Sequence, residues 1–268
     1  MPPSSLHPDL LPAARLVPRA SFTPRRLRAL RRLTRLRRAP HLPRVDGVIA
    51  SDHAAPAPEG GRPVPVRLYR PADADADGPV PALLWLHGGG YLVGDAYQDE
   101  KANLALVREL GIAVASVDYR LAPEDPFPAA TDDAESALRW LHASATDLGL
   151  RPDRLAVGGN SAGGGLAAAV VQIAHDRGQV PVAFQFLVYP MLDDRTVLRP
   201  DLDDGTCRLW TTASNRFGWE SYLGAAPGGV GVDPYAAPAR RDDLAGLPPA
   251  WIGVGTCDLF HDEDVAYA

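Results

Sequence analysis

The sequence predicts an α/β fold, a mostly parallel central sheet flanked by helices. Three observations carry that expectation. Strand-like and helix-like runs alternate from about Val64 onward, which favours parallel strands joined by crossover helices. Two glycine-framed turns, His87-Gly88-Gly89-Gly90 and Gly159-Asn160-Ser161-Ala162-Gly163, each follow directly on a strand-like apolar run. Finally, 268 residues, 46% hydrophobic and 22% charged, are enough for one large soluble core.

In chain order, strands are expected near Val48 and over Val64–Tyr69, with the Pro/Ala/Gly-rich stretch Ala54–Pro63 as a hairpin loop between them. Further strands are predicted at Pro81–His87, Ile112–Asp118, Leu155–Gly159, Val182–Tyr189 and Ala250–Gly255. Helices are predicted over Glu100–Leu110, Ala130–Thr146, Ala162–Arg177 and Ala213–Leu223. The stretch from Arg195 to Asp233 interrupts the alternation. It carries Trp210, Phe217, Trp219 and Tyr222, and reads either as a lid over an apolar pocket or as a surface helix whose rings pack on the body.

Charge is uneven. Residues 1–44 hold eleven arginines against one acid, Asp9, while the remainder holds 16 basic residues against 32 acidic ones. Arginines and leucines alternate over residues 25–38, so a helix there has an apolar stripe and a guanidinium face. The favoured reading lays the leucines over the acidic body, ahead of membrane-surface attachment and nucleic-acid contact. No apolar stretch is long enough to span a bilayer, and no secretory leader pattern opens the chain, so a cytoplasmic protein without a stable membrane anchor is expected. Cys207 and Cys257 are too few for a disulfide framework or metal knuckle and read as two half-buried thiols.

The chemistry lies in the two glycine turns. A G-x-S-x-G between a strand and a helix strains the serine backbone, exposes its hydroxyl and sets helix amides beside it. The upstream glycine loop supplies what such a serine lacks, main-chain N–H donors aimed at a developing oxyanion. In sheets of this kind ligands bind beyond the carboxyl ends of the strands, where both turns lie. The pattern therefore points to acyl transfer from Ser161. No metal or organic cofactor is expected, since there is no ligand cluster and the glycine loops lack a phosphate-binding lysine or G-x-G-x-x-G spacing.

With these residues in view, the chain resembles the hormone-sensitive-lipase-like branch of the α/β-hydrolase esterases, the bacterial family IV carboxylesterases with an HGGG loop. The matching text is His87-Gly88-Gly89-Gly90-Tyr91, Asp118-Tyr119-Arg120-Leu121-Ala122-Pro123-Glu124 and Gly159-Asn160-Ser161-Ala162-Gly163-Gly164. Tyr189-Pro190-Met191-Leu192-Asp193 and Asp258-Leu259-Phe260-His261-Asp262-Glu263 continue it. The resemblance implies a fold with a helical cap, hydrolysis of short- to medium-chain carboxylic esters, and Ser161 as nucleophile. It further implies an oxyanion hole from Gly89, Gly90 and the Ala162 amide, with Gly88 shaping the loop, and Asp258 as the acid. Two departures stand out: Asn160 replaces the family's usual Asp, and Asp125 its common His. By position alone Asp258 suits the acid, following a strand at the correct end of the sheet. Asp262, Glu263 and Asp264 compete, but fit better as the acidic first turn of a terminal helix.

A serine needs a base. The resemblance implies a histidine well after the acid, beyond one more strand, whereas the sequence ends at Ala268. His87 reads as structural, His261 sits too close to Asp258 to bridge it to Ser161, His142 and His175 fall in helices, and His7, His41 and His53 lack a partner pattern. Two readings follow: an incomplete copy of a longer esterase, with the last strand and helix missing, or a complete non-catalytic protein that binds small molecules. A helix opening at Asp262 without a cap favours the first. The expected organisation is N-terminal cap helices in 1–50 and a hydrolase core over 51–268, with a cap insertion at about 195–233. The expected partner is a small-molecule ester and no nucleic acid, and pairing with a second copy stays open.

Overall fold

The computed structural model describes residues 7–17, 21–35, 42–43, 45–58, 61–74, 78–205 and 207–268. Along them run α1 (Leu11–Leu16), α2 (Pro24–Arg35), β1 (Val48–Ala55), β2 (Val64–Pro71), β3 (Val80–Leu86), α3 (Glu100–Leu110) and β4 (Ala113–Val117). There follow α4 (Ala129–Ala143), β5 (Leu150–Asn160), α5 (Ala162–Arg177), β6 (Val182–Val188), α6 (Thr212–Leu223), β7 (Ala250–Gly253) and α7 (His261–Tyr267). The strands form one sheet in the order β1-β2-β4-β3-β5-β6-β7. β1–β2 and β2–β4 pair antiparallel; every pair from β4 to β7 is parallel.

Residue alternation explains how the sheet is covered on both faces. In β3, Ala82, Leu84 and Leu86 join the larger core with α4 and α5, while Leu83 and Trp85 join a smaller core with Val107 of α3. β4 divides likewise, Ala113, Ala115 and Val117 to one side and Val114 to the other. That is the period-two pattern of a doubly covered sheet. Every residue of α5 from Ala162 to Ala174 is buried, so this helix is sunk into the core.

Several boundaries differ from the sequence expectation for physical reasons. β5 starts at Leu150 rather than Leu155, because Leu150 pairs with Val80 while Pro152, Asp153 and Arg154 lie exposed. A polar, solvent-facing strand end gives no apolar run, yet its backbone still pairs. α4 stops at Ala143, short of Thr146, as the Ala145 amide turns back to the His142 carbonyl. Cys207 is half-buried as expected, but Cys257 is exposed, on the turn after β7.

The arginine-rich segment is helical through Arg35; Leu36, Arg37, Arg38 and His41 lie outside the described residues. Its two described leucines differ. Leu27 is buried, but Leu30 is 37% exposed, and Arg25, Arg26, Arg28 and Arg32 face solvent. No helix of the described residues is long and apolar enough to cross a membrane.

Candidate active site

Ser161 occupies the tight turn from β5 into α5, at φ 54° and ψ −123°. Few non-glycine residues adopt that conformation, and here the surroundings hold it. The Ser161 N–H donates to the Val188 carbonyl at the end of β6 (2.9 Å), and the Ser161 carbonyl accepts from the amides of Met191 (2.9 Å) and Gly165 (3.0 Å). On the other side of the same peptide group, the Tyr189 N–H donates to Gly253 O in β7 (2.7 Å). The residue is half-buried, and its hydroxyl makes no hydrogen bond among the described residues.

The two glycine turns meet. Leu86 pairs with Gly159 across β3 and β5, so both strands end level. A Cβ on Gly163 would lie 2.0 Å from Leu86 O and 2.4 Å from His87 O. Only a residue without a side chain lets the first turn of α5 approach this closely. The glycine loop then curls on itself. Gly89 has φ 128°, and a Cβ there would stand 1.9 Å from Val93 O. Its carbonyl accepts from the amides of Leu92 (3.0 Å) and Val93 (3.2 Å). Gly88 lies against Asn160, whose Oδ1 is buried without a partner where the family's usual residue would be a carboxylate.

His87 is structural, as expected. It is fully buried, stacks on Tyr119 with ring centroids 4.2 Å apart, and holds Nδ1 2.8 Å from Gly88 O. Burial holds its imidazole below the ordinary histidine range. Tyr119 in turn donates its hydroxyl to His87 O at 2.6 Å.

Rings from the Arg195–Asp233 stretch cover this loop. Tyr222 stacks on Tyr91 (3.9 Å, 9° between planes), and Trp219 tilts against the same ring (5.6 Å). Trp210 lies so close over Gly90 that a Cβ there would be 1.9 Å from Cη2. The N-terminal segment reaches the same place: Phe22 packs on Trp210 (5.6 Å), Ser21 Oγ is 2.9 Å from Thr211 Oγ1, and the Phe22 amide donates to Ser214 Oγ (3.0 Å). The rings of the insertion differ in their surroundings. Trp219 and Tyr222 are wholly packed, whereas Trp210 caps the glycine loop.

Asp258 lies on the turn between β7 and α7. Its Oδ1 accepts from the Phe260 amide (2.9 Å), and burial raises its carboxyl above the usual range despite that hydrogen bond. Its three rivals do form the first turn of α7. Asp262 is exposed and paired with Arg199 (2.6 Å) and His261 (2.8 Å), which holds its carboxyl below the usual range, His261 foremost. Glu263 does something the sequence did not announce. Its buried carboxyl accepts from the amides of Leu192 (2.7 Å) and Asp193 (3.2 Å) and from the Thr196 hydroxyl, bracing the chain just beyond Ser161's backbone partners. Burial pushes Glu263 up to about 8. Asp264 is 1% exposed with neither oxygen partnered; burial first, then Glu263 and Asp258, push it up to about 9.

No described histidine makes a hydrogen bond to Ser161 or Asp258. His261 bonds to Asp262 instead. Among the described residues, no three His, Cys, Asp or Glu side chains gather as a metal site.

A strained serine turn facing a glycine loop across the carboxyl ends of a parallel sheet is the architecture of an α/β hydrolase. The chain belongs to that family: residues 83–268 match the alpha/beta hydrolase fold. A solved structure named Bacterial Heroin Esterase is 41% identical, with a TM-score of 0.87 over 98% of this chain and 83% of that one. Esterase LipW from Mycobacterium marinum is 36% identical, with a TM-score of 0.80 over 100% and 82%. The Carboxylic ester hydrolase LipN of Mycobacterium tuberculosis is 38% identical over 82% of this chain and 58% of its own length. The Ethyl acetate hydrolase of Pseudomonas putida is 37% identical over 78% of this chain and 65% of its length. The chain thus spans less than two thirds of these curated relatives.

Proposed function

We propose that this protein is a serine carboxylesterase working through an acyl-serine intermediate on short- to medium-chain esters. The observation carrying this reading is the strained Ser161 at the head of α5, level with the Gly88–Gly90 loop. Ser161 attacks the ester carbonyl, and the amides of Gly89, Gly90 and Ala162 receive the oxyanion. Each well-placed donor of this kind contributes about 3–4 kcal/mol to the transition state. Ala162 opens a 16-residue helix, whose dipole adds to its amide. Asp258 orients the base, which the reading takes to be a histidine; none of the described histidines stands between Ser161 and Asp258. The names of the relatives, among them carboxylic ester hydrolase and ethyl acetate hydrolase, support the substrate class. Residues 1–50 and about 195–233 act as the cap, supported by Phe22 on Trp210 and Trp210 on Gly90.

The competing reading is a non-catalytic protein that holds a small molecule against the same donors. Mixing the protein with an activated aryl acetate separates the two. The esterase reading expects an acyl adduct on the Ser161 peptide, detected by mass spectrometry and absent from Ser161→Ala. Imidazole should quicken release from the adduct. Binding of an unreactive ester analogue without any adduct would leave the binding reading standing instead.

A further inference from the structure

Arg31 of α2 is far from Ser161 in sequence, yet its guanidinium ends on the glycine loop. Its Nε and Nη2 both donate to Leu92 O (2.9 and 2.7 Å), Nη2 also donates to Ala122 O (2.5 Å), and Nη1 pairs with Glu124. The side chain is 14% exposed. Leu92 O belongs to the same peptide group as the Val93 N–H, which donates to Gly89 O at 3.2 Å. Gly89 O in turn belongs to the same peptide group as the Gly90 N–H. Two peptide units therefore lie head to tail between the cation and an amide assigned to the oxyanion.

We infer that Arg31 is a positioning residue for the oxyanion hole, holding and polarising the Gly90 N–H through the Leu92–Val93 and Gly89–Gly90 peptides. The inference rests on the acyl-serine reading for its catalytic consequence only. A carbonyl bonded to a cation makes its own peptide N–H a stronger donor, and the effect passes along a hydrogen-bonded chain at about 10–30% per bond. The Ala122 and Glu124 contacts keep the guanidinium plane fixed against the loop. The arginine-rich helix thereby acquires a role that its exposed arginines do not share. Arg25, Arg26, Arg28 and Arg32 lie on the solvent side, and Arg31 faces the site.

The test compares Arg31→Lys, which keeps the charge, and Arg31→Gln, which removes it, in the full chain. The first readout needs no activity: the Gly90 amide resonance. In Arg31→Gln it should move upfield, as expected of a weaker hydrogen-bond donor, with Arg31→Lys between it and the parent. Ala162, whose peptide lies outside the relay, should not move. The second readout is turnover of an activated ester, with Ser161→Ala as the blank. Since an oxyanion donor is worth 10²–10³-fold in kcat, a 10–30% loss is a fall of about 2- to 8-fold, with KM unchanged. An unmoved Gly90 resonance in Arg31→Gln would overturn the relay. So would equal movement of Ala162, or a Lys variant no better than Gln, since each reports general loosening. A parent protein no faster than Ser161→Ala would instead count against the esterase reading, leaving the resonance to decide on Arg31.

Discussion

The two halves of the site are made from different materials. The Ser161 side is main chain throughout: a strained serine, three glycines and carbonyls that meet at distances no Cβ would survive. The Asp258 side is side chain, an aspartate on a turn beyond the edge strand with Glu263 and Asp264 crowded behind it. Main-chain hydrogen bonds satisfy one another across most of the first half, with His87, Tyr119 and Arg31 bracing the loop from outside. Carboxyls need partners of opposite charge or N–H donors, and Asp264 has neither. A backbone-built half takes most of its geometry from its own chain, while a carboxylate-built half is only as settled as its environment.

The sharpest way to break the contrast is Gly163→Ala. Helix propensity alone predicts a gain of about 1 kcal/mol. The collision with Leu86 and His87 carbonyls should reverse that to a loss of about 3 kcal/mol in urea unfolding. A variant as stable as the parent would mean the two turns are not wedged together.

Leu27→Ala asks whether the N-terminal helix belongs with the rigid half. Truncating that buried leucine costs about 2–3 kcal/mol of local packing. Trypsin should then cut within residues 25–32 sooner, while the urea midpoint of the body stays put. Unchanged cleavage would show that Arg31 and Phe22 suffice to anchor α2.

Asp264→Asn probes the carboxyl half. Glu263 and Asp264 bind their protons more tightly folded than unfolded, so their contribution is complete below about pH 4 and fades as pH rises toward about 8 and about 9. Removing the Asp264 charge should therefore raise stability by about 1–2 kcal/mol at pH 8, and by less at pH 5. The same gain at both values would contradict a buried, unpartnered carboxyl.

The smallest effect tests the elbow itself. Ser161→Gly relieves a non-glycine residue from φ 54° and should stabilise the fold by about 1 kcal/mol while abolishing acylation. Loss of stability in that variant would mean the serine side chain is a structural element.

The division also governs what the sequence made legible. Helices α3 and α5 fall where periodicity put them, and the meeting of the two glycine turns follows from both lying at the carboxyl ends of strands. The structural role of His87 was readable because it precedes a loop it could only brace. Missed were Glu263 reaching Leu192, Trp210 over Gly90 and Arg31 on Leu92. Each joins residues distant in sequence through one side chain, and no period or spacing records such a contact. Arg31 was hidden twice, being one arginine among many in a run that reads as a uniform charged face.

The amide bridge from Ser161 to Val188 and from Tyr189 to Gly253 turns the sheet into a ruler. Ser161 and Asp258 sit on loops whose roots are counted off in whole peptide rungs, so their spacing is set by strand pairing. The segments packed over the glycine loop, 21–35 and 195–233, can then vary without recalibrating that gap.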